Sequence, residues 1–146
     1  MKDWTIDQAP QIAYSYERFA QAKVFVFRKW CEQAVERGAR LPTDTSGSCK
    51  FGSLFMNQVF GGTICGHYEH QYNMIGGRIV DLSHDAIDVG KIAYPYLHEP
   101  DFFNIPEKQA SLDKCLPRVN GWVIQFLKEI EISDAHLLTN RFVGHP

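Results

Sequence analysis

The apolar positions of the chain fall into two rhythms. Tyr16, Phe19, Ala20, Val24, Phe27, Trp30, Cys31, Ala34 and Val35 recur at steps of three and four residues. That spacing predicts one amphipathic helix of about twenty residues, ended by Gly38 as its left-handed terminal residue. Trp30 and Cys31 fall on the stripe expected to face the core, where packing explains them without chemistry. A polar connection from Pro42 to Ser48 leads to a second helix, Cys49–Phe60, with Phe51, Leu54, Phe55 and Val59 at helical spacing and Gly61-Gly62 as its stop. Gly52 costs this short helix about 1 kcal/mol in propensity and marks close packing against a strand.

From Ile64 to Leu82 the pattern turns to β structure, punctuated by Gly66 and by Gly76-Gly77. The glycine pair suits a tight two-residue turn joining a strand over His70–Ile75 to one over 78–82. Residues 83–90 read as turn or short helix, and 91–106 as a loop with an exposed-looking Phe102-Phe103 pair. Ser111 is expected to cap a final helical region running to about Ile130. Pro117 would break or restart it, and Val119, Trp122, Val123, Phe126 and Leu127 would face the core. The fold class expected is a single α+β domain over residues 1–146: a long N-terminal helix, a second helix packed on a small antiparallel sheet, and a C-terminal helix.

The hairpin fixes which side chains meet. A two-residue loop at Gly76-Gly77 sets Ile75 opposite Arg78, Met74 opposite Ile79, Asn73 opposite Val80 and Tyr72 opposite Asp81. With side chains alternating at period two, His70, Tyr72 and Asp81 project from one face, and His70 and Asp81 are diagonal neighbours. His67 has the opposite parity if the strand continues back through it.

Composition narrows the classes. An apolar fraction of 45% with 13% aromatic residues in 146 positions supports a true core. A net charge of −2 and a pI near 6.3 leave no electrostatic footprint for nucleic acid. No secretory signal pattern opens the chain, and no apolar run reaches the ~20 residues of a membrane span. A cytoplasmic protein is expected, although export without a signal would leave the same sequence. The four cysteines (Cys31, Cys49, Cys65, Cys115) are scattered and read as free thiols.

Cys49 stands at the first turn of the second helix, where the partial positive charge of the helix N-terminus favours a thiolate. A carboxylate at Asp81 beside the His70 imidazole would fix its tautomer and favour its protonated form. The expected roles are Cys49 as nucleophile, His70 as general base and acid, and Asp81 as orienting group. Asp81 could instead merely end its strand and begin a turn.

The segments Gly47-Ser48-Cys49, Phe60-Gly61-Gly62, His70-Gln71-Tyr72-Asn73 and Gly77-Arg78-Ile79-Val80-Asp81-Leu82-Ser83 resemble the small bacterial YunG-like proteins. Those look like members of the papain-like superfamily, which includes transglutaminase-core and NlpC/P60-type hydrolases. The resemblance covers about residues 45–86 and, more weakly, Phe102-Phe103 to Val123. It implies a papain-like core in which a helix carrying the nucleophile Cys49 packs on an antiparallel sheet carrying His70 and Asp81. The chain departs from the pattern in two ways. Papain-type enzymes place a glutamine upstream of the thiol to complete the oxyanion hole, whereas Thr43, Ser46 and Ser48 are the polar residues here. Transglutaminase-core sequences carry Trp where this chain has Tyr72.

Ser48 and Tyr72 are the expected substrate-binding residues, with Tyr72 divided between pocket wall and packing. Cys65 reads as a half-buried strand residue, Cys115 as a core helix residue and Asn73 as a structural hydrogen-bonding group. His98, His136 and His145 read as surface residues. Cys65, His67 and His70, with His84 and Asp85 beyond, raise a zinc site. Strand alternation splits them between faces, so neither metal nor cofactor is expected. The function expected is a thiol hydrolase or acyltransferase acting on an amide of a protein or peptide: peptide or isopeptide cleavage, amidase action or glutamine deamidation. The rival is a non-catalytic binding or regulatory module, favoured by the missing glutamine and the Phe102-Phe103 pair. The sequence leaves the oligomeric state open.

Overall fold

Helix α2, Cys49–Phe60, has no exposed residue, although Lys50, Ser53, Asn57 and Gln58 interrupt its apolar run. Gly52 to Asn57, Val59 and Phe60 are all buried. The computed structural model describes residues 3–43, 48–84, 86–89 and 96–143. Within them α2 lies between an antiparallel sheet and two long helices, α1 (Tyr16–Glu36) and α3 (Pro106–Val143). The fold is α+β, with three α-helices and a four-stranded sheet in the order β1-β2-β3-β4 among the described residues.

Aromatic side chains fill the space between the helices. Phe25 of α1 stacks on Phe55 of α2 at 5.6 Å, and both meet Phe126 of α3 at 5.2 Å. Phe51 bridges Trp30 and Trp122, each at 5.7 Å. Such pairs add about 0.5–1.5 kcal/mol each beyond the area they bury. Outside this layer, Arg18–Asp134, Arg28–Glu129 and Arg118–Glu36 tie α1 to α3.

Ser15 caps α1 by accepting from the Arg18 N–H. The helix closes with Ala39 N–H to Ala34 C=O at 2.9 Å and Gly38 N–H to Val35 C=O at 3.0 Å, a Schellman ending. The expected stripe is displaced, however. Val24 and Val35 are exposed, and Phe19, Ala22, Phe25, Val26 and Ala34 are the buried residues. The sequence carries two overlapping apolar stripes, and periodicity fixes their spacing but not which one faces the core.

The last helix is longer than its sequence signals, covering 38 residues from Pro106. Pro106 sits at its first position, where a missing N–H costs nothing. Pro117 neither breaks nor restarts it. Pro117 and Asp113, whose carbonyl loses its helical donor, are both exposed, so water can serve the freed group.

Strands β2 (His70–Ile75) and β3 (Arg78–Asp81) pair Ile75 with Arg78, Met74 with Ile79 and Asn73 with Val80, the register expected from the glycine turn. Gly76 and Gly77 both have positive φ, 58° and 76°, as a type I′ turn requires. β1 (Thr63–His67) does not run on into His70. The chain turns at Tyr68-Glu69, so His67 pairs directly with His70 and Cys65 with Tyr72. A fourth strand, β4 (Ala86–Val89), replaces the turn or helix expected there, joined to β3 through an irregularity between Ile79 and Asp81. Four residues following an irregular register carry too little alternation to be read as a strand. Phe103 is buried in the core and Phe102 half-buried, both within a 3-10 turn at Pro100–Asn104. Their exposure was therefore overstated. No helix among the described residues is long and apolar enough to cross a membrane.

The segment before α1 closes the sheet end of α2. Gln8 bridges Gly62, and Ile64 N–H donates to the Trp4 carbonyl at 3.0 Å. Gly62, at φ 72°, sits so close to β2 that an added Cβ would lie 2.1 Å from the Met74 oxygen, whereas nothing lies within 4 Å of one at Gly76. Gly76→Ala should thus cost only its backbone strain, about 1–2 kcal/mol. Gly62→Ala should cost more than about 3 kcal/mol, because β2 must also move. Urea denaturation of the two variants checks the order.

Candidate functional site

The N-terminus of α2 and the start of β2 meet at one end of the sheet. Cys49, half-buried, opens α2, and His70 is the first residue of β2. The His70 Nε2 lies 2.6 Å from the Asp81 Oδ2, with both side chains buried. The imidazole also acts on the Cys49 thiol, drawing its pKa down. Since Asp81 takes Nε2, Nδ1 is the nitrogen that remains for the thiol. Cys49, His70 and Asp81 are therefore connected in that order, across an antiparallel hairpin and the helix packed on it.

Asp81 serves the strand end and the imidazole together. Its Oδ1 accepts from Ser83 N–H at 3.1 Å, Ser83 Oγ at 2.9 Å and His84 N–H at 3.3 Å, while Oδ2 faces His70. The turn-forming and histidine-orienting readings of Asp81 hold at once, one on each oxygen. Burial works to raise its pKa. The bond and charge of His70, the Ser83 bond and the charge of His84 outweigh it and hold the carboxyl below its usual range.

Burial likewise disfavours charge on His70. The Asp81 and Cys49 contacts reverse that, and its pKa is pushed up to about 9. For Cys49, burial would raise the thiol, yet the His70 hydrogen bond, the Gln71 backbone N–H and the charges of His70 and Lys108 bring it below the ordinary value. Cys65 moves the other way. It is buried at 6% exposure rather than half-buried, and burial pushes its thiol up despite the Thr63 hydroxyl. All four cysteines are free; Cys115 is half-buried on α3 against the core.

The two expected substrate contacts are corrected by burial. Tyr72, 1% exposed, packs with Cys65 and Ile79 on the far face of the sheet and donates its hydroxyl to the Tyr96 carbonyl at 2.8 Å. Ser48, also 1% exposed, precedes α2 and makes no side-chain cap. Neither lines the cleft beside Cys49. That cavity of about 760 Å³ is bounded by Cys49, Lys50, Gln71, Lys108 and Ser111, with Tyr68, Phe102 and Ile105 supplying its apolar side and Glu69 and Glu107 also lining it. Of the polar residues weighed for an oxyanion hole, Ser46 lies outside the described residues, as does Asp85 of the weighed zinc set and His145. Asn73 makes its structural bond, donating to the Ser53 carbonyl at 2.9 Å. His136 is exposed; His98, exposed too, accepts the Gly66 N–H at 3.0 Å.

Three contributors escape sequence reasoning. Gln71 Oε1 lies 3.6 Å from the Cys49 sulfur, while its Nε2 donates to the His67 carbonyl at 2.9 Å. Lys108 Nζ donates to the same Oε1 at 3.0 Å. His84 stacks face to face on His70, with centroids 4.2 Å apart and planes 3° from parallel, and its Nδ1 is 3.3 Å from Asp81 Oδ2. Adjacency to His70 was a usable signal for Gln71. Lys108 had none, because its helix was expected to begin only at Ser111.

Alternation does not separate Cys65, His67 and His70 after all, since the Tyr68-Glu69 turn sets His67 opposite His70. Yet the group of donors gathered within 4.8 Å among the described residues is His70, Asp81 and His84. An imidazole ligates through a lone pair in its ring plane, and two parallel planes share no point where one ion could satisfy both rings. As folded, the trio fits proton sharing better than metal ligation.

Comparisons of the chain with protein-family models, characterised proteins and solved structures find no match.

Asp81→Asn tests the electrostatics. The folded protein binds the His70 proton more tightly than the unfolded chain does, with a pKa near 9 against 6.5. That stabilisation is complete below about pH 6.5 and fades as pH rises through about 9. The Asp81 contribution has the opposite sense, present above its ordinary value of 3.8 and lost as pH falls through its depressed one. The stability difference between wild type and Asp81→Asn should then be greatest near pH 5–6 and shrink above about pH 9. Denaturation midpoints across that range check it.

Proposed function

We propose that this protein is a cysteine-dependent hydrolase or acyltransferase acting on an amide bond, built on a papain-like core. The observation that carries the reading is the buried His70–Asp81 pair, 2.6 Å apart, beside the helix N-terminus that bears Cys49, whose pKa the imidazole draws down. The thiolate of Cys49 attacks the acyl carbon, and the π electrons of the carbonyl move to oxygen. Collapse of that intermediate expels the amine, which takes its proton from His70, and leaves an acyl-thioester. His70 then removes a proton from water, or from an acceptor amine, as it attacks the thioester, and the sulfur leaves as thiolate. Backbone N–H groups at the start of α2 serve the oxyanion. Peptide or isopeptide cleavage, amidase action and glutamine deamidation all use these steps.

The competing reading, a binding or regulatory module without catalysis, drew on the Phe102-Phe103 pair and the missing glutamine. Phe103 is in the core. Gln71 does reach the thiol, but its oxygen faces the sulfur and its nitrogen is tied to His67, so it is no substitute oxyanion donor.

Iodoacetamide labelling at pH 6, followed by peptide mass spectrometry, tests the proposal. Cys49 should label at least about tenfold faster than Cys115, which is likewise half-buried, and His70→Ala should abolish the difference. Equal, slow labelling of every cysteine would sink the thiolate–imidazolium pair. A second check uses an activated ester of a small acyl group. Wild type should show a transient acyl adduct by intact mass, absent in Cys49→Ala.

A further inference from the structure

The cleft beside Cys49 holds two ammonium groups whose partners are neutral. Lys50 Nζ donates to Ser111 Oγ at 3.0 Å and lies 5.9 Å from the Phe51 ring centroid. Lys108 Nζ donates to Gln71 Oε1 at 3.0 Å and lies 5.0 Å from that of Phe102. Neither forms a salt bridge among the described residues. Both lysines, Gln71 and Ser111 line the same cavity as the thiol.

This arrangement is unfavourable without a ligand. Lys108 is half-buried, and burial together with the charge of Lys50 opposes its protonation, while the Cys49 side favours it. Two like charges facing one cavity raise each other's energy, and a hydroxyl and an amide oxygen relieve only part of it. Elsewhere the protein pairs its half-buried cations with acids, as Arg18 with Asp134 and Lys29 with Glu32. Glu69 and Glu107 line the cleft as well. An ammonium also retains unused donors after one hydrogen bond.

We propose that Lys50 and Lys108 form an anion subsite that binds a carboxylate of the substrate, beside the bond that Cys49 attacks. The substrate class is then an amide carrying a carboxylate near its reacting carbonyl, such as a peptide with an acidic residue or a free C-terminus at that point. Tyr68, 83% exposed and edge-on to Phe102 at 6.2 Å, offers the adjoining apolar wall. The assignment of a substrate rests on Cys49 being the attacking thiolate; the charge of the cleft does not.

The test compares iodoacetate with iodoacetamide, reagents of nearly the same shape that differ by one negative charge. Both consume the same thiolate, so their rate ratio at Cys49 cancels the thiolate fraction and reports local charge. The ratio should fall about threefold or more in Lys108→Met, fall further when Lys50→Met is added, and be restored in Lys108→Arg. In wild type it should also fall as salt is raised. A ratio unchanged in the double variant would overturn the subsite, however fast Cys49 reacts. Slow absolute rates with an ordinary pH profile would instead count against the catalytic reading while leaving the ratio interpretable. Circular dichroism confirms that each variant is folded before its ratio is read.

Discussion

The burial of α2 on all sides is the constraint from which the rest follows. A helix that contacts both a sheet and a pair of helices has no free face on which to rotate. Its polar groups must be met inside the protein. Asn57 donates to the Gly62 carbonyl at 3.0 Å, just past the helix end, and Asn73 reaches from β2 to the Ser53 carbonyl at 2.9 Å. These two bonds fix the helix in rotation and along its axis against the strand that carries His70. The position of Cys49 is a consequence, since the first residue of a helix locked in this way is held relative to the first residue of the strand beneath it. A site built from two element termini gains precision from the core without placing its reactive groups within it.

The same economy governs charge. An isolated imidazolium or carboxylate at this depth would be strongly disfavoured. Asp81 is stabilised by donors that the turn after β3 provides in any case, from Ser83 and the His84 backbone. The carboxylate so held then supports the imidazolium. His84 lies over the exposed side of the pair, stacked on the ring of His70. Its contact with Asp81 adds a second nitrogen to the same oxygen, so the carboxylate keeps a partner if the His70 ring turns toward substrate.

Much of this was legible in the sequence, for reasons that differ by element. Gly76-Gly77 fixes its turn type through backbone sterics alone, and from the turn came the register that brings His70 to Asp81. Helix α2 was readable because a strongly apolar run ends at a glycine pair. What could not be read was anything set by distant packing. Tyr72 shares a face with His70 but belongs to a cluster behind the sheet, with Cys65 and Ile79, which parity cannot distinguish from a pocket wall. The buried side of α1 depends on how three helices share one aromatic layer. Lys108 arrives at the thiol from a helix whose first turn is marked only by Pro106, so its contact with Gln71 has no local sequence signal. Parity misled on His67 because the turn at Tyr68-Glu69 lacks glycine.

The Cys49 pKa moves down and that of His70 moves up, each partner favouring charge on the other. The surroundings act on the two ends of that pair separately. Asp81 contacts the imidazole and stabilises its charge. Lys108 lies on the sulfur side and stabilises the charge there. Gln71 links the two through its geometry, because the oxygen that accepts from the thiol also accepts from Lys108. A bond donated by the thiol favours its neutral form, so this contact opposes ionisation, and Lys108 offsets that by drawing on the same oxygen. The imidazole end of the pair is thus supported by a carboxylate already needed to end its strand.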